Sequence, residues 1–405
     1  MQNRRTFVVT AAALAIALAY GPAGAAGKYG PGASDTEIKI GNTNPYSGPA
    51  SAYGTIGKSI SAYWKMVNAN GGINGRKINF ISQDDSYSPP KTVEKIRKLV
   101  EQEQVLFIFQ SLGTPTNSAI HKYMNAKKVP HLFVATGAGK WGQPKKYPWT
   151  MGWQPAYPGE AKIYASYLLN NKPDSKVAIL YQNDDYGQDY LNGFLKGLGS
   201  KAKTMVVAKE PYETADPTVE PQIIKLKASG ADVFFNITTP KFAAQAIRKV
   251  HDLGWKPLHF LNNVSTSVGG VLKPAGLDKS VGLITTGYLK DPTDPQWAND
   301  ADFKAWTAWM NKYYPDGDKN SSFNAYGYAV ASTMHEVLKR AGDNLTRANI
   351  MKVASNLKGL KVPLLLPGIT IDTSPTDFYP IECAKLQKFD GKKWALVSDV
   401  ICPKR

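Results

Sequence analysis

The sequence predicts an α/β protein built as two doubly wound lobes joined by several chain crossings. Three observations carry this expectation. Short apolar runs alternate with helix-period stretches along most of the chain, the pattern of parallel sheets flanked by helices. The alternation pauses around Trp149–Pro158 and again near Thr285–Pro295, where the chain is read as crossing between lobes. The length of 405 residues exceeds one domain of about 100–200 residues and suits two.

The N-terminus is read first. Arg4 and Arg5 precede Phe7, an apolar run from Val8 to Ala19, and small residues at Ala23, Ala25 and Ala26. A charged start, a short apolar core and an A-x-A site make a cleavable secretory signal over residues 1–26. The run is shorter than the ~20 residues that span a bilayer. The paired arginines also suit a twin-arginine signal, although the usual nearby Lys is missing. Both export routes stay open. No Cys near the cleavage site offers a lipid anchor.

Strands are predicted at Ile38–Thr43, Lys77–Asp84, Val105–Phe109, His131–Ala135, Val177–Tyr181, Lys203–Tyr212, Val233–Ile237 and His259–Asn262. Between the first two, Ile56, Ile60, Tyr63, Trp64 and Val67 share one face of a helix that ends at Asn70-Gly71-Gly72. Further helices are expected at Pro90–Gln104, Asn117–Lys127 and Gly159–Asn170. Lys385–Phe389 and Trp394–Val400 read as a closing hairpin turned at Asp390-Gly391 and returned to the second lobe. The expected division is 36–157 plus 285–365 for the first lobe, and 158–284 plus 366–405 for the second. Cys383 and Cys402 bracket the hairpin. An even count in an exported chain suggests a disulfide, contributing about 3 kcal/mol by tying down the C-terminus.

The formal charge is +17, and losing two arginines with the signal leaves roughly +15. The lysines are spread along the chain instead of clustered, which argues for a solvated basic surface and against nucleic acid. Such a field steers anionic solutes. Enzyme signatures fail on inspection. Gly137–Gly142 matches G-x-G-x-x-G, but Pro144 and Pro148 follow where a helix should open. Gly57-Lys58-Ser59 looks like a P-loop tail, but Ala52 stands where that loop needs Gly. There is no G-x-S-x-G and no H-E-x-x-H, and the five histidines are scattered. Asp84-Asp85 and Asp184-Asp185 lack EF-hand spacing and read as strand-end or capping residues. Contact of Asp184 or Asp185 with a ligand remains open.

Binding chemistry is expected in the strand-to-helix loops. Ser111–Asn117 offers small side chains and a helix N-terminus, whose unpaired amides and dipole favour a carboxylate. Ser111, Gly113 and Thr114 are the candidates there. Ala135, Thr136 and Gly137 end the next strand, and Thr238 and Asn263 close strands of the second lobe.

The turn Pro45-Tyr46-Ser47-Gly48-Pro49, the run Asn70–Arg76, the Asp84-Asp85 strand end and Asp184-Asp185-Tyr186-Gly187 together resemble the type I periplasmic solute-binding proteins of ABC importers, the Leu/Ile/Val-binding-protein family. The resemblance covers about residues 36–400. It implies two Rossmann-like lobes on a multi-crossing hinge, and a monomer exported to the periplasm. It also implies a small solute captured by hinge closure and handed to a membrane permease, with no cofactor and no catalysis. It places Tyr46, Tyr53, Tyr157 and Tyr186 around the solute. Relatives often carry Ser where this chain has Gly113. Relatives that bind α-amino acids present an acid near the second-lobe turn, and none stands between His259 and Val271. An ammonium buried without a partner is costly, so the expected ligand is an aromatic carboxylate. Gly113–Asn117, Phe133–Ala138 and Trp149–Pro155 are similar to a subgroup for such acids. Branched-chain or other amino acids, amides, a sensory role, and an enzyme of the same shape stand as alternatives.

Overall fold

The computed structural model describes residues 27–403, and the signal expected at 1–26 lies outside the described residues. Two sheets organise the chain. The first is five-stranded and parallel: β1 (Glu37–Asn44), β2 (Lys77–Asp84), β3 (Phe107–Phe109), β4 (His131–Val134) and β5 (Thr150–Gly152), in the order β2-β1-β3-β4-β5. The second is seven-stranded: β6 (Val177–Gln182), β7 (Val206–Tyr212), β8 (Val233–Ile237), β9 (Leu258–Leu261), β10 (Ile284–Gly287), β11 (Lys385–Phe389) and β12 (Trp394–Leu396). Its order is β12-β11-β10-β9-β8-β6-β7, with only β11 and β12 antiparallel to their neighbours. Strands β3, β4, β8 and β10 are buried along their whole length, as sheets covered by helices on both faces require.

Helix α1 (Gly54–Ala69) buries the predicted stripe Ile56, Ile60, Tyr63, Trp64 and Val67. Gly72 ends it with φ +83, and a Cβ there would lie 2.0 Å from the Arg76 carbonyl oxygen. Only glycine fits that stop. Asp84 folds the turn before α1. One carboxylate oxygen accepts from the amides of Tyr46, Ser47 and Ser86 at 3.0, 3.3 and 2.9 Å, and the other from the Ser47 hydroxyl at 2.6 Å. Cys383 and Cys402 are bonded, beside the paired backbones of Ala384 and Ile401.

Several expectations need correction. Strand β7 starts at Val206, because Ala202–Met205 forms a helical turn, and β12 stops at Leu396. The pauses conceal two strands, β5 and β10. The division at 284/285 therefore cuts a strand: β10 pairs with β11 through Gly287. The division at 365/366 also falls early. Ile371 pairs with Leu360, and Thr373 bonds Leu357 and Ala354, so the chain stays with helix Arg347–Ala354 beyond it.

The core carries buried imidazoles. Burial lowers His131 and His259 to about 3, and His121 to about 4 with help from Lys140 and Lys146. Each stays neutral in the fold where the unfolded chain takes up a proton, so stability falls as pH drops below about 6.5. Each such histidine costs about 1.4 kcal/mol per pH unit between its two pKa values. Replacing His259 by Gln is expected to reduce the slope of unfolding free energy between pH 6 and 4 by about that amount, read from urea titrations. An unchanged slope would mean that His259 protonates without leaving the core.

Candidate ligand-binding site

The carboxyl ends of both sheets face a single cavity. From the first lobe, β3 runs through Leu112 and Gly113 into α2 (Thr114–Ala126), and Pro115 in its first turn has no amide to satisfy. The first amides of such a helix have no intrahelical partner, and Gly113 and Thr114 line the cavity. Gly113 has φ +101, and a Cβ there would lie 2.5 Å from the Tyr87 ring. From the second lobe, the turn after β9 presents Asn263 and Val264.

Aromatic rings make the walls: Tyr53, Tyr87, Tyr157, Tyr186, Tyr288, Tyr326 and Phe323. Tyr157 opens α3 (Tyr157–Asn171) and stands edge-on to Tyr186 of α4 (Asp185–Leu198), ring centres 5.3 Å apart. Burial holds Tyr53, Tyr87, Tyr186 and Tyr288 well above the usual phenol range and pushes Tyr157 up to about 12. All are neutral hydroxyls at ordinary pH.

The charged lining residues among those described are Lys290 and Asp291, and both are engaged elsewhere. The Lys290 ammonium lies 2.7 Å from Asp300. Asp291 accepts from the Thr293 amide at 2.9 Å and from its hydroxyl. The second-lobe turn has an acid behind it. Glu160, 3% exposed, accepts from the Asn263 amide at 2.8 Å, from Tyr164 at 2.7 Å and from Tyr190 at 2.6 Å. Burial raises its pKa.

The sequence candidates divide. The cavity brings together Tyr53, Gly113, Thr114, Ala135, Tyr157, Tyr186 and Asn263. Five stand outside its lining. Tyr46 bonds Ser82 at 2.6 Å and packs against Gly57 of α1. Ser111 is tied to His131 at 2.6 Å and to Asn117. The Thr136 hydroxyl bonds Thr114 at 2.6 Å. Gly137 accepts from the Tyr157 amide at 2.7 Å, and a Cβ there would meet that ring at 2.7 Å. Thr238 donates to Asn236 at 2.6 Å, and its neighbour Thr239 faces the cavity instead. Asp184 caps α4, accepting from the amides of Tyr186 and Gly187. Asp185 takes the Lys140 ammonium. Sequence reasoning missed Tyr87, Gln154, Tyr288, Phe323 and Tyr326. Tyr87 follows a predicted strand end, where the same rule would have found it, whereas Gln154 and Tyr288 follow β5 and β10, which the sequence concealed.

The lobes are closed on each other. Tyr53, in the turn just before α1, donates to the Val264 carbonyl at 3.0 Å. The Gly139 amide reaches Asp189 of α4 at 2.8 Å, and the Gly269 amide reaches the Asn320 carbonyl at 3.1 Å. The cavity leaves about 90 Å³ of room for the centre of a water molecule. One water needs roughly 10–15 Å³ by that measure, so the cavity has room for a small molecule.

Two sheets closed over a buried, ring-lined cavity define a two-lobed binding protein. The chain belongs to the periplasmic binding protein family, whose model matches residues 37–393. Leu/Ile/Val-binding protein homolog 1 of Brucella abortus (strain 2308) is 24% identical over 345 residues, 84% of this chain and 85% of its own. Among solved structures, a branched chain amino acid ABC transporter from Thermus thermophilus with bound valine aligns with TM-score 0.82 at 15% identity, covering 91% of this chain and 97% of its own. A solute-binding protein of an R. palustris ABC transporter in complex with 4-hydroxybenzoate aligns with TM-score 0.76 at 18% identity, covering 91% and 98%. At these identities the two structures establish the α/β fold alone.

Proposed function

We propose that this chain is the solute-binding component of an ABC importer, exported to the periplasm on a signal at residues 1–26 and working as a monomer. It captures a small aromatic carboxylate. The solute docks on the first lobe, its carboxylate toward Gly113 and Thr114 at the start of α2. The second lobe closes over it, and the closed form then meets a membrane permease. No cofactor takes part, and the role is binding, not catalysis.

One observation carries the ligand class: seven rings surround a cavity whose lining lysine, Lys290, is held by Asp300 and whose lining acid, Asp291, already accepts from Thr293. An aromatic acid asks for a ring slot and a cluster of amides. An α-amino acid asks in addition for an acid at its ammonium. The R. palustris neighbour with 4-hydroxybenzoate supports this reading. The Brucella relative's name and the valine-bound neighbour favour a second one, branched-chain amino acids.

A thermal-shift screen of the mature protein separates them. The panel sets benzoate- and cinnamate-type acids against leucine, valine, glutamate, urea and short amides. A ligand at a hundred times its Kd stabilises the fold by about 2.7 kcal/mol, a shift of several degrees. Aromatic acids alone are expected to raise the melting temperature. A shift with leucine or valine alone would transfer the assignment to amino acids.

A further inference from the structure

The cavity has two chemically different ends. At one, Gly113 and Thr114 continue from β3. At the other, Gln154 follows β5. Strands β3, β4 and β5 are consecutive neighbours in the sheet, and neighbouring strands lie about 4.8 Å apart. The two ends are therefore roughly 10 Å apart, the span of a para-substituted ring acid with a hydrogen bond at each end.

The Gln154 end is polar, uncharged and only partly satisfied. Tyr326 donates to the Gln154 side-chain carbonyl at 3.0 Å, which leaves the Gln154 amide hydrogens for another acceptor. Tyr288 lies close by: its ring and that of Tyr326 both stand edge-on to Trp153, centres 6.0 and 5.2 Å away. Among the described residues, the Tyr288 hydroxyl has no hydrogen-bond partner. Tyr288, Tyr326 and Gln154 are 4%, 8% and 9% exposed, and all three line the cavity. Buried polar groups in folded proteins are paired, and one left unpaired costs about 1–3 kcal/mol. A donor–acceptor pair waiting in a closed cavity points to a ligand group that supplies both functions.

We propose that the solute carries an uncharged hydrogen-bonding substituent, a ring hydroxyl, at the end remote from its carboxylate. Gln154 and Tyr288 are the residues that select it. The hydroxyl donates to the Tyr288 oxygen and accepts from the Gln154 amide, and it is not ionised. This rests on the carboxylate reading above and adds a second determinant to it. The lining also sets a negative selection: Lys290 is already paired with Asp300, so a second carboxylate at that position has no unpaired cation to meet.

Calorimetric titration of the mature protein with benzoate, 4-hydroxybenzoate, terephthalate and leucine tests it. The expected order is 4-hydroxybenzoate tightest, benzoate weaker by roughly tenfold to a hundredfold, the range set by one unsatisfied buried polar group, and terephthalate weaker still. Tyr288→Phe and Gln154→Leu should each shrink the ratio between the first two. The wild-type ratio alone decides the case if either variant folds poorly. Equal binding of benzoate and 4-hydroxybenzoate overturns the hydroxyl assignment and leaves the carboxylate reading standing. Binding of leucine with neither aromatic acid overturns both. A ratio that both folded variants keep unchanged removes Gln154 and Tyr288 from the role.

Discussion

Gly113→Ala is expected to lower solute affinity by roughly a hundredfold, the loss of one or two charge-assisted hydrogen bonds, whereas Gly71→Ala leaves it unchanged. Both glycines hold positive φ, +101 and +99, so both substitutions carry a backbone cost of about 1–3 kcal/mol. Their surroundings differ. Nothing lies within 4 Å of a Cβ at Gly71. A Cβ at Gly113 would sit 2.5 Å from the Tyr87 ring and 2.7 Å from the Thr116 hydroxyl oxygen. Neither gives way readily. Tyr87 itself has φ +59, and Thr116 is bonded to the carbonyls of Leu112 and Gly113. The clash is relieved by moving the start of α2 or the Tyr87 ring, and both belong to the cavity wall. Equilibrium unfolding of the two variants isolates the shared backbone cost, and titration of both with solute isolates the site effect. Equal affinities would place the solute away from Gly113.

The sequence made β2, β8 and β11 legible to the residue, because β2 and β8 are isoleucine-, valine- and phenylalanine-bearing runs bounded by turn signals and β11 ends at the Asp390-Gly391 turn. It hid β5 and β10. Thr150-Met151-Gly152 is too short for any periodicity. Ile284-Thr285-Thr286-Gly287 looks polar, yet is buried, its threonines meeting the Tyr164 hydroxyl inside the second lobe. Both strands are made by their neighbours in the sheet and not by local preference. The site was half legible for a related reason. Strand-end logic finds the loops, but successive residues of an extended chain face opposite ways. That single step separates Thr238, turned to Asn236, from Thr239 in the cavity, and Ser111, turned to His131, from Leu112. Tyr326 gave no local signal. It sits within a helix, Ser322–Ala341, that is buried on most sides, and only the arrangement of the lobes turns it toward a solute.

Glu160→Ala is expected to destabilise the protein by about 2–6 kcal/mol, from two buried donors left unpaired at about 1–3 kcal/mol each, while Glu160→Gln costs about 1 kcal/mol. The carboxylate takes three hydrogen bonds in the core, from the hydroxyls of Tyr164 and Tyr190 and from the Asn263 amide. Alanine strands the Tyr190 hydroxyl and the Asn263 amide, while Tyr164 keeps the Leu261 carbonyl at 3.1 Å. Glutamine keeps the oxygen shared by Tyr164 and Asn263, and Tyr190 can rotate its hydroxyl to accept from the new amide. The sign with pH follows from burial, which raises the Glu160 pKa above its usual 4.5. The folded state then holds this proton more tightly than the unfolded chain, so the wild type loses stability as pH rises through that window. Glutamine does not titrate, and its disadvantage should shrink as pH rises above 4.5. The same variant separates the two ligand classes. Glu160 stands behind the Asn263 turn, so an ammonium placed at that turn would feel its charge directly, and an aromatic acid would not. Loss of roughly a hundredfold in leucine affinity on Glu160→Gln, the scale of a buried ion pair, would make this carboxylate the acid that the second-lobe turn lacks in sequence. An aromatic-acid affinity within about threefold of wild type, less than the net value of one hydrogen bond, would leave Glu160 as the support that fixes Asn263 against the cavity.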